Sequence, residues 1–265
     1  MEKHTIAILG CGNMGEAIVG GLQDVDTSTL IATERLKPRR EYLRNTYKIE
    51  VTNDNADACR RADVAILCVK PMAAQEVLAD LVDVLEGKLL ISICAGVSID
   101  QLSSWAPGAS IVRAMPNTPA LIRDGMTVVS PGPGVTEEQI EFARSTFSAV
   151  GRCLVLEEKH LDAVTGLSAS GPAFCCVLLE SMADGGVMMG LPRKVAIELA
   201  AQSMHGAAQL VLTTGRHPAE LKDQVTTPAG CTIAGLLTME DGKIRSTLAR
   251  TIQEATIIAS GLGKK

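Results

Sequence analysis

The sequence predicts an α/β chain: a doubly wound parallel sheet at the N-terminus, followed by an all-α helical domain that serves dimerisation. Three observations predict it. Short apolar runs alternate with helical patterns from residue 5 to about 157. A Gly10-x-Gly12-x-x-Gly15 turn joins the first apolar run to the first helical pattern. After residue 158 the alternation stops, and long Ala-, Leu- and Met-rich helical stretches take over. The domains expected are residues 1–157, a Rossmann-type nucleotide-binding unit, and residues 158–265, a helical unit.

Taken in order, the strands expected are TIAILG (5–10), TLIATE (29–34), VAILCV (64–69), KLLISICA (88–95), SIVRAM (110–115), MTVVS (126–130) and RCLVLE (152–157). Helical patterns lie between several of them, around 13–23, 72–85 and 136–149. Continuously apolar strands separated by helices indicate a parallel sheet covered on both faces. In the second half, Pro192 and Pro218 stand near helix starts and Gly190 and Gly215 near helix ends. Residues 243–260 read as a final helix. This half is apolar around too much of its circumference for a lone bundle, so it is expected to bury a face against another subunit.

At 265 residues the chain is long enough for two ordinary domains with real cores. Hydrophobic residues make up 46% and aromatics only 2%, so the cores must be aliphatic. A net charge of −5 provides no field for nucleic acid or an anionic membrane. Arg35, Lys37, Arg39 and Arg40 form one dense basic cluster, ordinarily a solvated face. No run reaches the ~18 apolar residues of a membrane span, and a strand pattern begins almost at once where a signal segment would lie. The eight cysteines show no C-x-x-C pairing and the four histidines no metal-ligand spacing, which favours a reduced, metal-free cytoplasmic protein.

The turn Gly10-x-Gly12-x-x-Gly15 carries the first functional signal. Gly10 permits the tight turn, Gly12 lets backbone amides approach a pyrophosphate, and Gly15 allows close helix–strand packing. The pyrophosphate then rests on a helix N-terminus, where free N–H groups and the dipole favour negative charge. Glu34, at the end of the second strand, suits the ribose hydroxyls of NAD. Arg35 beside it, with Lys37, Arg39 and Arg40 close by, suits the 2′-phosphate of NADP. NADP(H) is the preferred expectation and NAD(H) a usable second.

Further stretches resemble one family. TNDNADA (52–58, with Asn55), LCVKP (67–71), SICAGV (92–97), RAMPNTPA (113–120), DAVTGLSASGPAF (162–174), ADGGVMMGLPR (183–193) and QVTTPAGCTIAGL (224–236) are similar to pyrroline-5-carboxylate reductases. The resemblance runs from about residue 5 to 260. It implies a Rossmann domain followed by a helical domain that interleaves with its partner in a homodimer, often assembled into a ring of dimers. It places the cofactor along Leu9, Gly10, Cys11, Gly12, Asn13, Met14 and Gly15, then Arg35, Asn55, Cys68, Val69, Lys70, Pro71, Cys94, Ala95 and Gly96. It places the substrate, 1-pyrroline-5-carboxylate, or the product L-proline, against Glu158, Gln224, Val225, Thr226, Thr227, Gly230, Cys231 and Thr232. Asn117 is read either as a turn former or as a group orienting the nicotinamide. Three positions depart from the family's usual pattern: Gln224 for Asn, and Ala169 and Ala229 for Gly. The last two are conservative in volume.

The implied substrate is a cyclic imine bearing a carboxylate. Its nitrogen is basic enough to carry its own proton near neutral pH, so the protein is left mainly with positioning. Backbone amides at Gly230–Thr232 can bind the carboxylate, and the Thr232 hydroxyl can hydrogen-bond the ring nitrogen and relay a proton. Thr226, Thr227 and Thr232 are also readable as helix caps and Glu158 as a surface acid. Lys70 is readable as a catalytic lysine, but the Pro71 that follows favours a fixed loop whose backbone faces the cofactor. Two rivals remain. A β-hydroxyacid dehydrogenase would need a lysine near Phe174–Val177, where there is none. A non-catalytic NADP-binding sensor would not need the 224–236 turn.

Overall fold

In a computed structural model that describes residues 4–23 and 28–262, eight strands form one sheet in the order β3-β2-β1-β4-β5-β6-β7-β8. The strands are β1 His4–Leu9, β2 Ser28–Thr33, β3 Glu50–Thr52, β4 Val64–Leu67, β5 Leu89–Ser92, β6 Ser110–Met115, β7 Gly125–Pro131 and β8 Gly151–Val155. The helices of this part are α1 Asn13–Leu22, α2 Lys37–Tyr47, α3 Asn55–Arg60, α4 Ala74–Ala79, α5 Val82–Leu85, α6 Ile99–Trp105, α7 Glu137–Ser148 and α8 Leu161–Val164. The seven expected strands are all present. β3 was not foreseen: at three residues, with one buried side chain, Val51, it is too short to show a period.

The sheet is not wholly parallel, as had been expected. β1 to β6 are parallel, but β7 runs antiparallel to β6, with Met115 opposite Val128 and Val112 opposite Pro131. β8 then runs parallel to β7. The reason is length: only residues 116–124 join β6 to β7, and a parallel return needs a crossover of about a dozen residues or more.

The core divides about the sheet. One face buries Ile6, Ile8, Ile18, Ile66, Ile91 and Phe147, and the other Ala7, Leu9, Leu67, Leu78, Leu85 and Leu102. Alternate residues of β1 and β4 thus supply opposite faces, so both faces are dry and the strands read as continuous apolar runs. Helix starts are cut by side chains: Ser98 with Gln101 and Thr136 with Gln139 form reciprocal capping boxes at α6 and α7.

Two compact units divide the chain, one reaching Ser170 and resuming at Gln253, the other Gly171–Ile252. The expected boundary at 157/158 therefore precedes the packing boundary. Residues 158–170 stay with the sheet because Leu161 is buried against Met115 and Val128. Asn117 Nδ2 also donates to Ser168 O at 3.2 Å.

The second unit comprises α9 Gly171–Met188, α10 Arg193–Thr214, α11 Pro218–Gln224, α12 Cys231–Asp241 and most of α13 Ile244–Ala259. Within residues 171–252 only Ala183, Ala196 and Ala200 are buried, while Met188, Met189, Val177, Leu199, Leu210 and Leu237 are more than half exposed. Three alanines are no core for a unit of that size. Against the expectation of no span-like run, the stretch Glu158–Met188 is long and apolar enough to cross a membrane, by length and composition alone. Mean hydropathy reaches 1.4 there because Gly, Ser and Thr interrupt the apolar residues without lowering the average much.

Candidate active site

Because β1 to β6 are parallel, their carboxyl ends share one edge of the sheet, and strand order reverses between β1 and β4. An open α/β sheet binds its ligand at that switch point. The loops leaving these strands carry Gly10–Gly15, Glu34, Arg35, Asn55, Cys68–Pro71, Cys94–Gly96 and Asn117. Main-chain bonds stitch the loops together: Cys11 N to Thr33 O (2.8 Å), Cys68 N to Leu9 O (2.8 Å), Glu34 N to Thr52 O (3.0 Å) and Ile93 N to Leu67 O (3.1 Å).

The glycines behave as their spacing requires. Gly10 has φ +83°, and a Cβ there would stand 2.7 Å from Val69 Cγ1. A Cβ on Gly15 would stand 2.9 Å from Gly10 O, so only glycine lets α1 approach β1 this closely. Gly12 is the N-cap of α1, no side chain caps the helix, and a Cβ on Gly12 would meet nothing within 4 Å. The start of α1 thus has no side-chain cap and room beside Gly12, which fits a pyrophosphate. Leu9 and Cys11 are fully buried, so only their main-chain groups can meet a cofactor. Burial pushes the Cys11 thiol up to about 12.

Around the end of β2 the charges are sorted. The Glu34 carboxylate accepts the Leu36 amide at 2.9 Å, folding back on its own loop rather than standing free for ribose hydroxyls. The Arg35 side chain is exposed and has no partner among the described residues. Asn55 opens α3, whose N-cap Asp54 accepts Asp57 N at 2.9 Å. Lys70 is exposed at the start of the Pro71–Ala73 turn. Cys94 is buried, with its thiol directed to Val69 O at 3.3 Å, which joins the 68–71 and 94–96 segments.

Two expected site residues have structural partners. Asn117 is a brace: Oδ1 accepts Met126 N at 2.8 Å while Nδ2 donates to Ser168 O. Glu158 is not a free surface acid. Its Oε1 accepts Arg113 Nη1 and Ile99 N, each at 2.7 Å. Arg113 and Ser168 went unnoticed in the sequence. For Arg113 there was a signal, a single cation inside the apolar strand SIVRAM.

In the second unit, residues 224–232 run from the end of α11 into α12. Thr226 Oγ1 donates to Lys222 O at 2.7 Å, closing α11. Gly230 N donates to Thr227 O at 3.1 Å. Gly230 is the N-cap of α12, and no side chain caps that helix. The Thr232 hydroxyl, half-buried, has no partner among the described residues, and Gln224, Val225, Thr227 and Cys231 are exposed. Ala229 has φ +57°, in the left-handed region that favours glycine, so an alanine there is conservative in volume but not in backbone.

Comparison with known proteins agrees with this layout. A model for pyrroline-5-carboxylate reductase dimerisation matches residues 158–262, and one for NADP oxidoreductase, coenzyme F420-dependent, matches residues 5–96. A pyrroline-5-carboxylate reductase of Schizosaccharomyces pombe is 43% identical over 278 aligned residues, covering 97% of this chain and 98% of that one. The chain belongs to the pyrroline-5-carboxylate reductase family. Among solved structures, a pyrroline-5-carboxylate reductase from Coxiella burnetii superposes with a TM-score of 0.94 at 30% identity, covering 100% of each chain. A pyrroline carboxylate reductase of Plasmodium falciparum with NADP bound superposes at 0.89 with 28% identity and 99% of each chain covered. As a pyrroline-5-carboxylate reductase family member, the chain joins an NADP-oxidoreductase unit to a dimerisation domain, and the exposed apolar helices of residues 171–252 are the surface such a domain needs.

Proposed function

We propose that this chain reduces 1-pyrroline-5-carboxylate to L-proline with NADPH, NADH being the poorer donor. The observation that carries the reading is the α12 N-terminus. It has no side-chain cap, a Thr232 hydroxyl without a partner among the described residues, and no acid or base from Gln224 to Leu236. Amides suit a carboxylate, and a hydroxyl suits an iminium nitrogen without opposing its charge. A nicotinamide bound there would supply the hydride for the C=N carbon. Leu9 to Gly15, Arg35, Asn55, Cys68 to Pro71 and Cys94 to Gly96 hold the cofactor, chiefly through main-chain groups and the Arg35 guanidinium. Gln224, Val225, Thr226, Thr227, Gly230, Cys231 and Thr232 hold the substrate. Glu158 and Asn117 act by bracing.

The functional division lies at residues 1–157 and 158–265, supported by the dimerisation match beginning at 158. The working unit is a homodimer through the helical domain, and such dimers can close into a ring. Eight unpaired cysteines support a reducing cytoplasm. The test is the oxidation of NADPH and NADH with 1-pyrroline-5-carboxylate and, separately, with hydroxy and keto acids. Turnover confined to the cyclic imine supports the reading, and faster turnover of a keto acid overturns it.

A further inference from the structure

The basic cluster after β2 holds four cations: Arg35 and Lys37 are exposed with no partner among the described residues, while Arg39 and Arg40 are each engaged in a different way. Arg39 is paired with Glu16 of α1, whose carboxylate also accepts the hydroxyls of Tyr42 and Tyr47, each at 2.9 Å. That pair locks α2 onto α1 and cancels the Arg39 charge. Arg40 does something else. Its Nη1 donates to two consecutive main-chain carbonyls, Glu34 O at 2.9 Å and Arg35 O at 2.6 Å. It meets no carboxylate among the described residues, so its charge stays uncompensated.

We propose that Arg40 is a positioning residue for cofactor selectivity, favouring the 2′-phosphate of NADPH. Holding the carbonyls of residues 34 and 35 fixes the loop from which the Arg35 side chain leaves. One oxygen of the Glu34 carboxylate is held by Leu36 N in the same loop, which engages the acid that would otherwise bond ribose hydroxyls. Arg40 then leaves a positive charge within hydrogen-bond distance of the Arg35 main chain. Arg39, though adjacent in sequence, takes no part because Glu16 neutralises it. The inference rests on the reading that NADP lies across this edge with its adenosine ribose at the end of β2.

The test compares KM for NADPH and NADH in Arg40→Met, Arg40→Lys, Arg39→Met and Arg35→Ala. Arg40→Met is expected to raise KM for NADPH roughly tenfold, the size of one lost charge-assisted contact, while KM for NADH moves less than about twofold. Arg40→Lys, which keeps the charge and a donor, is expected to recover most of the selectivity, and Arg39→Met is expected to shift both cofactors alike. The NADPH KM of Arg40→Met should also depend less steeply on salt than that of the parent. Where Arg40→Met does not fold, Arg40→Gln takes its place. Equal changes for both cofactors would mean a merely structural arginine and overturn the proposal, as would an unchanged ratio. Arg35→Ala separates the two failures. If it lowers selectivity and Arg40→Met does not, only Arg40 is wrongly assigned. If neither lowers it, the placement of the adenosine end falls as well.

Discussion

Arg113 Nη1 and Glu158 Oε1 meet at 2.7 Å, joining β6 to the segment that leaves β8. The arginine side chain is only 6% exposed, and its Nη2 has no hydrogen-bond partner among the described residues. The same carboxylate oxygen takes the Ile99 amide at the start of α6, so one acid steadies the helix that follows the Cys94–Gly96 turn. Arg113 is the buried member and Glu158 is 31% exposed, so removing the acid strands the arginine's charge, at about 3 kcal/mol. Glu158→Gln should lower Tm by about 6–12 °C at fixed protein concentration, and Arg113→Met by less. The double variant should lose less than the two single losses combined. Thermal unfolding of all three decides it, and a full additive loss would show that the pair does not act as a unit.

In the 224–232 turn, the Thr232 hydroxyl is half-buried and without a partner among the described residues. Thr232→Ala should reduce kcat about 10–100-fold, the loss of one transition-state hydrogen bond, with NADPH affinity nearly intact. An unchanged kcat would leave Thr232 a helix residue only.

Gly12 has an ordinary negative φ, and its missing Cβ faces empty space. Gly12→Val should therefore fold normally yet block the approach of a pyrophosphate. Circular dichroism and NADPH fluorescence titration together check both halves, and retained nucleotide affinity would contradict the site.

Ala229 sits at φ +57°. The left-handed region costs a non-glycine residue roughly 1–2 kcal/mol, and glycine returns up to about 1 kcal/mol of that through its freer unfolded chain. Ala229→Gly should raise Tm by a few degrees, read by calorimetry. A lowered Tm would mean that the turn is relaxed in the assembled protein.

Burial lifts Cys11 to about 12 and Cys59, Cys94 and Cys153 to about 11, from an ordinary 9.0, with Cys68 also raised well above it. Tyr47 rises to about 12, through burial and then its bond to Glu16. Each of these groups is neutral when protonated and has a raised folded-state value. Its stabilising effect is thus complete below pH 9 and is lost as pH climbs toward 11 and 12. The urea midpoint should hold steady to about pH 9 and then fall, and Cys59→Ala should soften that fall. Equal midpoints at pH 8 and pH 10.5 would show that these thiols do not govern the alkaline limit.

Much of this protein is legible in its residues one stretch at a time. The strands of the sheet show because buried parallel strands are apolar at every position, and the cofactor loop shows because Gly10 and Gly15 answer to contacts within a few residues of sheet and helix. The turn at 224–236, with no acid or base of its own, is readable from its residues only as a Pro/Gly turn with helix caps, and its proposed substrate role comes from the family resemblance. Tertiary structure decided the rest. The reversal of β7 followed from a short connection, and the hold of Arg113 on Glu158 spans forty-five residues of sequence. The difference between Arg39 and Arg40 is the clearest case. Adjacent in sequence and alike in chemistry, they part only because Glu16 on another helix reaches one and two carbonyls reach the other. Period and composition report what a residue's own neighbourhood demands. Pairing between distant charges depends on where the folded chain brings them, and that only the packing supplies.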